Sequence, residues 1–574
     1  MTNIIESIST NCQDCYRCVR ACPVKAIRIS HAQAKIVDSL CVHCGVCVRE
    51  CPKKAKITIS QLAEVRELLH SGAMVAASVD PAFAARFPGW KQLRLPSALR
   101  LLGFAHVAET AEGVQLVAKE AARLQGSGHC LSTACPVVVE YVEKYRPEYL
   151  DMLLPLVSPM IAHGRLLKQR YGAACRVVFI GPCTARKQEA RRAEYKGVID
   201  NVLTFDELAD WLDEENIDLA HCEESGFESY GDLAKARLFP ISGGLLKISC
   251  GYADATDTQQ LLISGNEDMQ ELLDMPASQW GCSLAEALFC REGCINGPYF
   301  SPSGECGNIF SRRQQILDYS SSAGSLPALP DSQPHLEAVF HADPVWGDEV
   351  AERDIDRVFE QTDKSNPELQ LNCGACGYDS CRDKAVAVLR GMAEPQMCMP
   401  FMRRQAVKRA DKIIEASPSA FVLLDNELKL LHFNPAFARM FHCGKEMLGR
   451  RLSSILDDSG FEELVAGSAA RCEAVKEKNG FHYQELLYSL PEDGQYVGVY
   501  TDLSQNKYDE KQLDHFKQQA VKQAQELLDH QIRFAQEMAN FLGRSTAQNE
   551  EMVRQLIEIC DFDSAQAEDG GGQQ

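Results

Sequence analysis

The chain has 574 residues, 45% hydrophobic and 24% charged, enough for three to five packed domains and too apolar for a disordered polymer. A formal net charge of −21 makes nucleic acid a poor partner. There is no run of about 18 apolar residues to span a membrane and no basic-then-apolar leader in MTNIIESIST, so a cytoplasmic protein is expected.

The 25 cysteines fall mostly in short groups, which in a large intracellular-looking chain points to metal rather than disulfides. Residues 1–62 carry Cys12, Cys15, Cys18 and Cys22-Pro23, repeated as Cys41, Cys44, Cys47 and Cys51-Pro52. In this C-x2-C-x2-C-x3-C-P pattern of two-cluster bacterial ferredoxins the fourth cysteine of each run serves the other cluster. The expected 4Fe-4S sets are Cys12, Cys15, Cys18 with Cys51, and Cys41, Cys44, Cys47 with Cys22. Strands at 26–30 and 56–60 are expected to pair the two halves. Structural zinc, the bland alternative, does not account for a doubled run with both prolines. Nine Lys and Arg against four Asp and Glu in residues 1–60 offset cluster charge and suit a ferredoxin-type electron carrier as a partner.

Residues 63–345 read as α/β. MVAASVDPAFAARF predicts a buried strand, a turn at Asp80-Pro81 and a helix, and RVVFIGPC predicts a strand that delivers Cys183 just past its end. Cys135 stands directly before Pro136, and Cys290 and Cys294 share a C-x3-C spacing that brings two thiolates to one point on a turn. Singly, Cys135 and Cys183 would read as buried core thiols. Together, LSTACPVVVEYVEKYRPEYLDMLLPLVSPM, FIGPCTARKQEA, PISGGLLK and LFCREGCINGPY, in this order behind a ferredoxin domain, resemble the catalytic domain of iron-iron (FeFe) hydrogenases over about residues 76–315. The resemblance implies an H-cluster: a 4Fe-4S cubane on Cys135, Cys183, Cys290 and Cys294, bridged through Cys294 to a diiron unit with CO, cyanide and a dithiolate amine. It also implies H2 as substrate and hydrogenase maturation proteins as partners.

The departures from that family bear on proton transfer. Ala134 stands where typical members have a second cysteine that passes protons, and alanine has no titratable group. Gly181 replaces a methionine, and Arg186 replaces a lysine that bonds a cyanide, with a fork geometry unlike an ammonium. Gly297-Pro298-Tyr299 replaces a glycine-rich run. Glu120, near Glu109 and Glu112, is the nearest positional match to the family's paired proton-path glutamates. Cys130, Cys175, Cys222, Cys250, Cys282 and Cys306 share no consistent spacing and read as core or surface thiols.

The segment 320–345, Ser/Pro-rich at its start, reads as a linker or wrapping segment. In residues 346–405, Cys373, Cys376, Cys381 and Cys398 form C-x2-C-x4-C-x16-C, which resembles the small 4Fe-4S domain of redox subunits and corrinoid-protein partners. Residues 406–505 resemble a PAS domain: a helix, strand AFVLLD, a turn at Asn426-Glu427, strand LKLLHFN, then Asn434-Pro435-Ala436, and a closing hairpin of HYQELLYSL and QYVGVYTDL. Its ligand is unknown; His442, Cys443 and Cys472 carry no ligand geometry, and a plain packed core is expected. In 506–574, apolar residues from Leu513 to Leu542 recur in three- and four-residue steps, which predicts output helices as a coiled coil or two-helix hairpin, with a homodimer favoured over packing back on PAS, before a disordered tail.

The expected fold is therefore multidomain, α+β and α/β, with three accessory 4Fe-4S clusters and an H-cluster. The order of modules resembles the sensory group of FeFe hydrogenases. It implies slow, reversible H2 oxidation, with electrons passed through the Cys373 cluster to PAS and read by an unidentified signalling protein. A metabolic ferredoxin-linked FeFe hydrogenase and an iron-sulfur assembly or carrier protein without a diiron unit are the alternatives.

Overall fold

In the computed structural model the duplicated N-terminal segment forms two small sheets from β1 (Ile5–Ser7), β2 (Ile27–Ser30), β3 (Gln33–Ile36) and β4 (Lys56–Thr58). β1 pairs with β4 and β2 with β3, all antiparallel. This corrects the expected pairing of 26–30 with 56–60. His31 and Ala32 both take left-handed φ, 51° and 56°, so β2 turns straight back onto β3. That leaves the strand ahead of the first cysteine run to close on the strand after the second. The structure describes residues 3–251, 259–300, 307–322, 327, 333–345, 350–467, 471–478, 480–490 and 494–503. They fall into two units, Met1–Arg403 and Arg404–Gln574.

The α/β part of the first unit is a parallel sheet of β5 (Val75–Val79), β6 (His106–Glu109), β7 (Arg176–Gly181) and β8 (Asn201–Thr204), in the order β6-β5-β7-β8. β5 is buried throughout, as suits a strand with helices over both faces. Phe83, Leu99, Phe205 and Trp211 fill one face, and Leu116, Met160, Leu167 and Phe179 the other. Burying each such phenylalanine contributes about 1.5–3 kcal/mol. A second parallel pair, β9 (Gln260–Ser264) and β10 (Leu284–Leu288), stands beside this sheet's helices. The described part of 320–345 does wrap: Val157 N–H donates to Leu336 O (2.9 Å), Ala338 N–H to Pro155 O (3.1 Å) and Asp343 N–H to Glu143 O (2.9 Å).

The second unit is an antiparallel sheet of β11 (Ala420–Leu424), β12 (Leu430–Phe433), β13 (Arg471–Lys478), β14 (Phe481–Leu490) and β15 (Gln495–Asp502), in the order β12-β11-β15-β14-β13. Buried Asn434 explains the NPAF signature. Its carbonyl accepts from Phe437 N–H and Phe421 N–H, and its amide donates to Ile414 O and Ser419 O, all at 2.9 Å. It thereby caps helix Pro435–Phe441 and ties it to the strand. The interior is filled by Phe437, Phe441, Tyr483 and Tyr500, with ring centroids 4.8–5.7 Å apart. Gly498 is required there, since a Cβ would lie 2.9 Å from both Phe461 and Val422. Cys443 and Cys472 stay at the partly buried edge of this core.

No helix among the described residues is long and apolar enough to cross a membrane. The expected output helices, the tail and Cys306 lie outside the described residues.

Candidate functional site

Four thiols collect where strands and a helix end. Cys183 follows β7 by two residues, Cys290 follows β10 by two, Cys294 opens a short turn, and Cys135 is the N-cap of helix Pro136–Tyr145 with Pro136 in its first turn. The loop that carries Cys135 is pinned to β10: Ala285 N–H donates to Cys130 O (2.7 Å) and Ser132 N–H to Ala285 O (2.9 Å). Gly293, at φ 92°, lets the chain turn into Cys294; a Cβ there would sit 2.3 Å from Pro240 O.

Each thiol acts on the others. Burial pushes Cys183 up to about 12 despite the Arg186 guanidinium nearby. Burial raises Cys290 too, and Cys183 and Cys135 add to it. Cys294 is held well above its ordinary value by burial, then by Asp80 and by Cys290, Cys135 and Cys183. Such thiols stay neutral unless a cation takes them as thiolates, and four soft donors around one volume fit an iron-sulfur group. Among the described residues no three His, Cys, Asp or Glu converge on a single metal ion.

The wall beside Cys294 is apolar. Ala134, 1% exposed, packs with Ala111, Val114, Leu233, Ala236, Phe239 and Leu245, and Cys294 lies against this cluster. Buried Arg186 donates to Ala134 O (2.9 Å) and to Glu189 (2.6 Å), so its fork ties the Cys135 loop to its own helix. Glu120 is on the outer side of helix Ala111–Arg123, paired with Arg123, and is not brought to the thiols. The buried carboxylates near this helix are instead Glu109, paired with Arg237, and Glu112, paired with Arg170 and raised to about 7 by burial. Asp80 is raised to about 6 by burial, and Glu286, held by Gly243 and Leu246 N–H groups, to about 7. Sequence reading passed over Asp80 and Glu286 as functional groups; a carboxylate at the end of one apolar strand and inside another was the available signal. It also read Cys130 and Cys282 as unrelated, whereas their thiols share a hydrogen bond.

The ferredoxin-like segment abuts this site with its second run. The Cys44 and Cys290 thiols act on each other, and Arg49 donates to Asn296 O (3.1 Å). Gly45 approaches so closely that a Cβ would meet Pro298 at 2.7 Å and Thr184 at 2.8 Å. Tyr299 bonds Thr184 (3.3 Å) and Thr58, so the Gly-Pro-Tyr departure forms the seam between the two modules. Within the segment Cys12, Cys15 and Cys51 act on Cys18, while Cys22 acts on Cys41, Cys44 and Cys47 and Cys18 also acts on Cys47. Cys22, Cys41, Cys44 and Cys47 line one cavity with Ile5, Ile27 and Ile36.

Cys373, Cys376, Cys381 and Cys398 follow the α/β domain in sequence but in space lie on the first ferredoxin run. Arg20 donates to Ala375 O (3.2 Å), Ile29 N–H to Met392 O (2.9 Å) and His31 N–H to Glu394 (2.9 Å). Tyr378 stands between the Cys376 and Cys22 thiols, and a Cβ on Gly377 would meet Val19 at 2.8 Å.

Family comparisons agree with this layout. Residues 73–298 match the iron only hydrogenase large subunit, C-terminal domain; 11–55 a 4Fe-4S dicluster domain; 370–400 a Fe-S cluster family; and 408–474 a PAS domain. The periplasmic [Fe] hydrogenase large subunit of Nitratidesulfovibrio vulgaris is 29% identical over 183 residues, 28% of this chain and 43% of that protein. Iron hydrogenase 1 of Clostridium pasteurianum is 28% identical over 282 residues, 40% of this chain and 49% of that protein. The cytosolic Fe-S cluster assembly factor NAR1 of Kluyveromyces lactis is 36% identical over 94 residues, 16% of this chain and 20% of that protein. The chain thus spans less than half the length of each of these relatives. A variant of the [FeFe]-hydrogenase HydA1 from Chlamydomonas reinhardtii aligns over 50% of this chain and 100% of its own, at 18% identity and a TM-score of 0.40.

Proposed function

Since this is an FeFe-hydrogenase-like protein with a PAS domain, we propose that it senses H2 by slow, reversible oxidation at the Cys135–Cys183–Cys290–Cys294 site. Those four residues would hold an H-cluster, with Cys294 as the shared thiolate, and the bound group would supply the redox chemistry of H2 ⇌ 2 H+ + 2 e−. The observation that carries the reading is the apolar wall around Ala134, which puts an alanine methyl, with no proton to pass, in the position next to Cys135. Slow turnover suits a sensor, because the signal reports H2 without draining it.

The chain's own residues set the rest of the behaviour. Arg186 keeps the Cys135 loop in place through Ala134 O and leaves no proton to give, because its charge is committed to Glu189. The succession Cys290, Cys44, Cys22, Tyr378 and Cys376 supports an electron route that leaves through the ferredoxin segment and ends at the Cys373 set. Cys398, the last member of that set, immediately precedes helix Met399–Ala416, which runs toward the PAS strands in sequence. We read the partners as H2, maturation proteins, a ferredoxin-type carrier and a signalling protein, in a cytoplasmic setting, with dimerisation through residues 506–574.

Infrared spectra of the matured protein under H2 and under argon test this reading. Bands of metal-bound CO and cyanide that respond to H2, with turnover well below that of metabolic hydrogenases, are expected. Fast turnover with a ferredoxin that survives removal of residues 406–574 would instead establish a metabolic hydrogenase. The likeness to NAR1 is what favours the alternative of an assembly factor without a diiron unit, and the appearance of those bands would eliminate it.

A further inference from the structure

Two lysines are buried against the third thiol set, and neither was visible as part of it in the cysteine spacing. Lys364 is 5% exposed and Lys384 3%. Lys364 Nζ lies 2.9 Å from Cys381 Sγ and also donates to Cys398. Its position is fixed by its own backbone, Lys364 N–H to Phe359 O (2.7 Å), just past helix Glu352–Gln361, which packs on the helix that Cys381 opens. Lys384, one turn into that helix, donates to Pro395 O (2.8 Å) and faces Cys398, Cys376 and Cys381. Among the described residues no carboxylate pairs with either ammonium. Buried lysines are rare unless paired, and among the described residues the groups that face these two as possible anions are the thiols of this set.

The other sets are provisioned differently. Beside the ferredoxin runs, buried Lys56 acts on both Cys18 and Cys47 and so is shared between two sets, while Lys25, which acts on Cys22, is only partly buried. In the Cys135 set, Arg186 beside Cys183 is paired with Glu189, and Arg49, which acts on Cys290, is paired with Glu50. A buried cation stabilises the more negative, reduced state of a cluster, and a hydrogen bond to a ligating sulfur acts in the same direction.

We propose that Lys364 and Lys384 raise the reduction potential of the cluster on Cys373, Cys376, Cys381 and Cys398 above those of the two ferredoxin clusters, making it the electron well at the end of the relay. The proposal rests on the reading that these four cysteines hold a 4Fe-4S cluster. Each one-electron reduction takes an electron that the ferredoxin clusters pass on from H2 oxidised at the Cys135 set, so H2, which gives two electrons and two protons, is the net reductant.

The test is a potentiometric titration of the anaerobically reconstituted full-length chain, followed by electron paramagnetic resonance, with iron and sulfide counted in every variant. The signal that disappears in Cys376→Ala identifies the cluster. If Cys376→Ala costs no iron and no signal, the cluster reading fails before the lysines are at issue. With the cluster present, wild type is expected to reduce it first. Lys364→Gln and Lys384→Gln are each expected to lower the equilibrium constant for its reduction tenfold or more, a shift of 59 mV or more for one electron, while the ferredoxin signals stay in place. Lys364→Arg, which keeps the charge, is expected to restore most of the shift. Should Lys364→Gln lose iron, Lys384→Gln leaves the Cys381 contact intact and decides alone. Unchanged potentials in iron-replete Lys384→Gln, or a cluster that reduces last in wild type, overturn the proposal.

Discussion

The Cys135 set and the Cys373 set are both four-thiol sites, but their surroundings are opposite. On one side of Cys135 and Cys294 the neighbours are alanine, valine, leucine and phenylalanine, Asp80 acts on Cys294 from elsewhere, and the Arg186 guanidinium close by is spent on Glu189. Around Cys381 and Cys398 stand two ammonium groups that pair with no carboxylate among the described residues, and Cys373 is exposed. An apolar wall excludes water and withholds protons; a cationic one stabilises added electrons. On the proposed reading, one donor chemistry would serve reaction at one end of a relay and retention at the other, with the difference carried by residues that are not cluster ligands.

The largest effect is expected where backbone geometry serves the first set. Gly293→Ala places a Cβ against Pro240 O at a φ that disfavours any side chain, so Cys294 must move. Loss of iron from that site, counted against the ferredoxin clusters, is the expected outcome. Arg186→Met is next. It leaves Glu189 buried without its partner and frees Ala134 O, and removal of one member of a buried pair costs about 3–5 kcal/mol. Denaturant unfolding of the first unit checks it, and an unchanged midpoint would mean that the wall and not the tie holds the Cys135 loop.

These two residues also mark how much was legible beforehand. The cysteine runs, the strand–turn–helix at Asp80-Pro81 and the Asn434-Pro435-Ala436 mark of the PAS fold were readable because each is local: a few consecutive residues carry the whole signal. The seam made by Tyr299 with Thr58, the Cys130–Cys282 contact and the two lysines were not, because each joins residues that only the tertiary fold brings together. The β1–β4 pairing was missed for the same reason, since the internal repeat invited a symmetric pairing that the left-handed turn at His31 and Ala32 forecloses. Position alone misdirected the choice of Glu120: the helix was expected, but which carboxylate faces inward depends on what packs against it.

Glu286 gives a pH-dependent effect of intermediate size. Its carboxyl is raised from 4.5 to about 7 by burial, so the folded chain holds a proton that the unfolded chain gives up. Its contribution to stability is complete below about pH 4.5 and is lost as pH rises through about 7, by roughly 3 kcal/mol in total. Thermal unfolding of Glu286→Gln is expected to show a flatter decline across that window, and an identical decline would assign the slope to Glu112 and Asp80 instead. Ala134→Cys is expected to act more modestly on the chemistry, raising H2 turnover about tenfold by restoring a titratable group in the wall. Unchanged turnover with unchanged infrared bands would place the slow step elsewhere and weaken the sensor reading.

The smallest expected effect is the sharpest check on the contrast between wall and relay. Glu120 lies on the outer side of its helix with its charge engaged by Arg123, which is 73% exposed, and that pair is open to water and salt. If protons reached the thiols along this helix, Glu120→Ala would depress turnover and move its pH profile. If instead the apolar cluster from Ala111 to Leu245 seals the site from that side, the substitution changes neither. Equal turnover and a superimposable pH profile for Glu120→Ala, measured beside Ala134→Cys, are the expected result: they would locate proton control in the residue next to Cys135 and remove it from the carboxylate that sequence position alone had favoured.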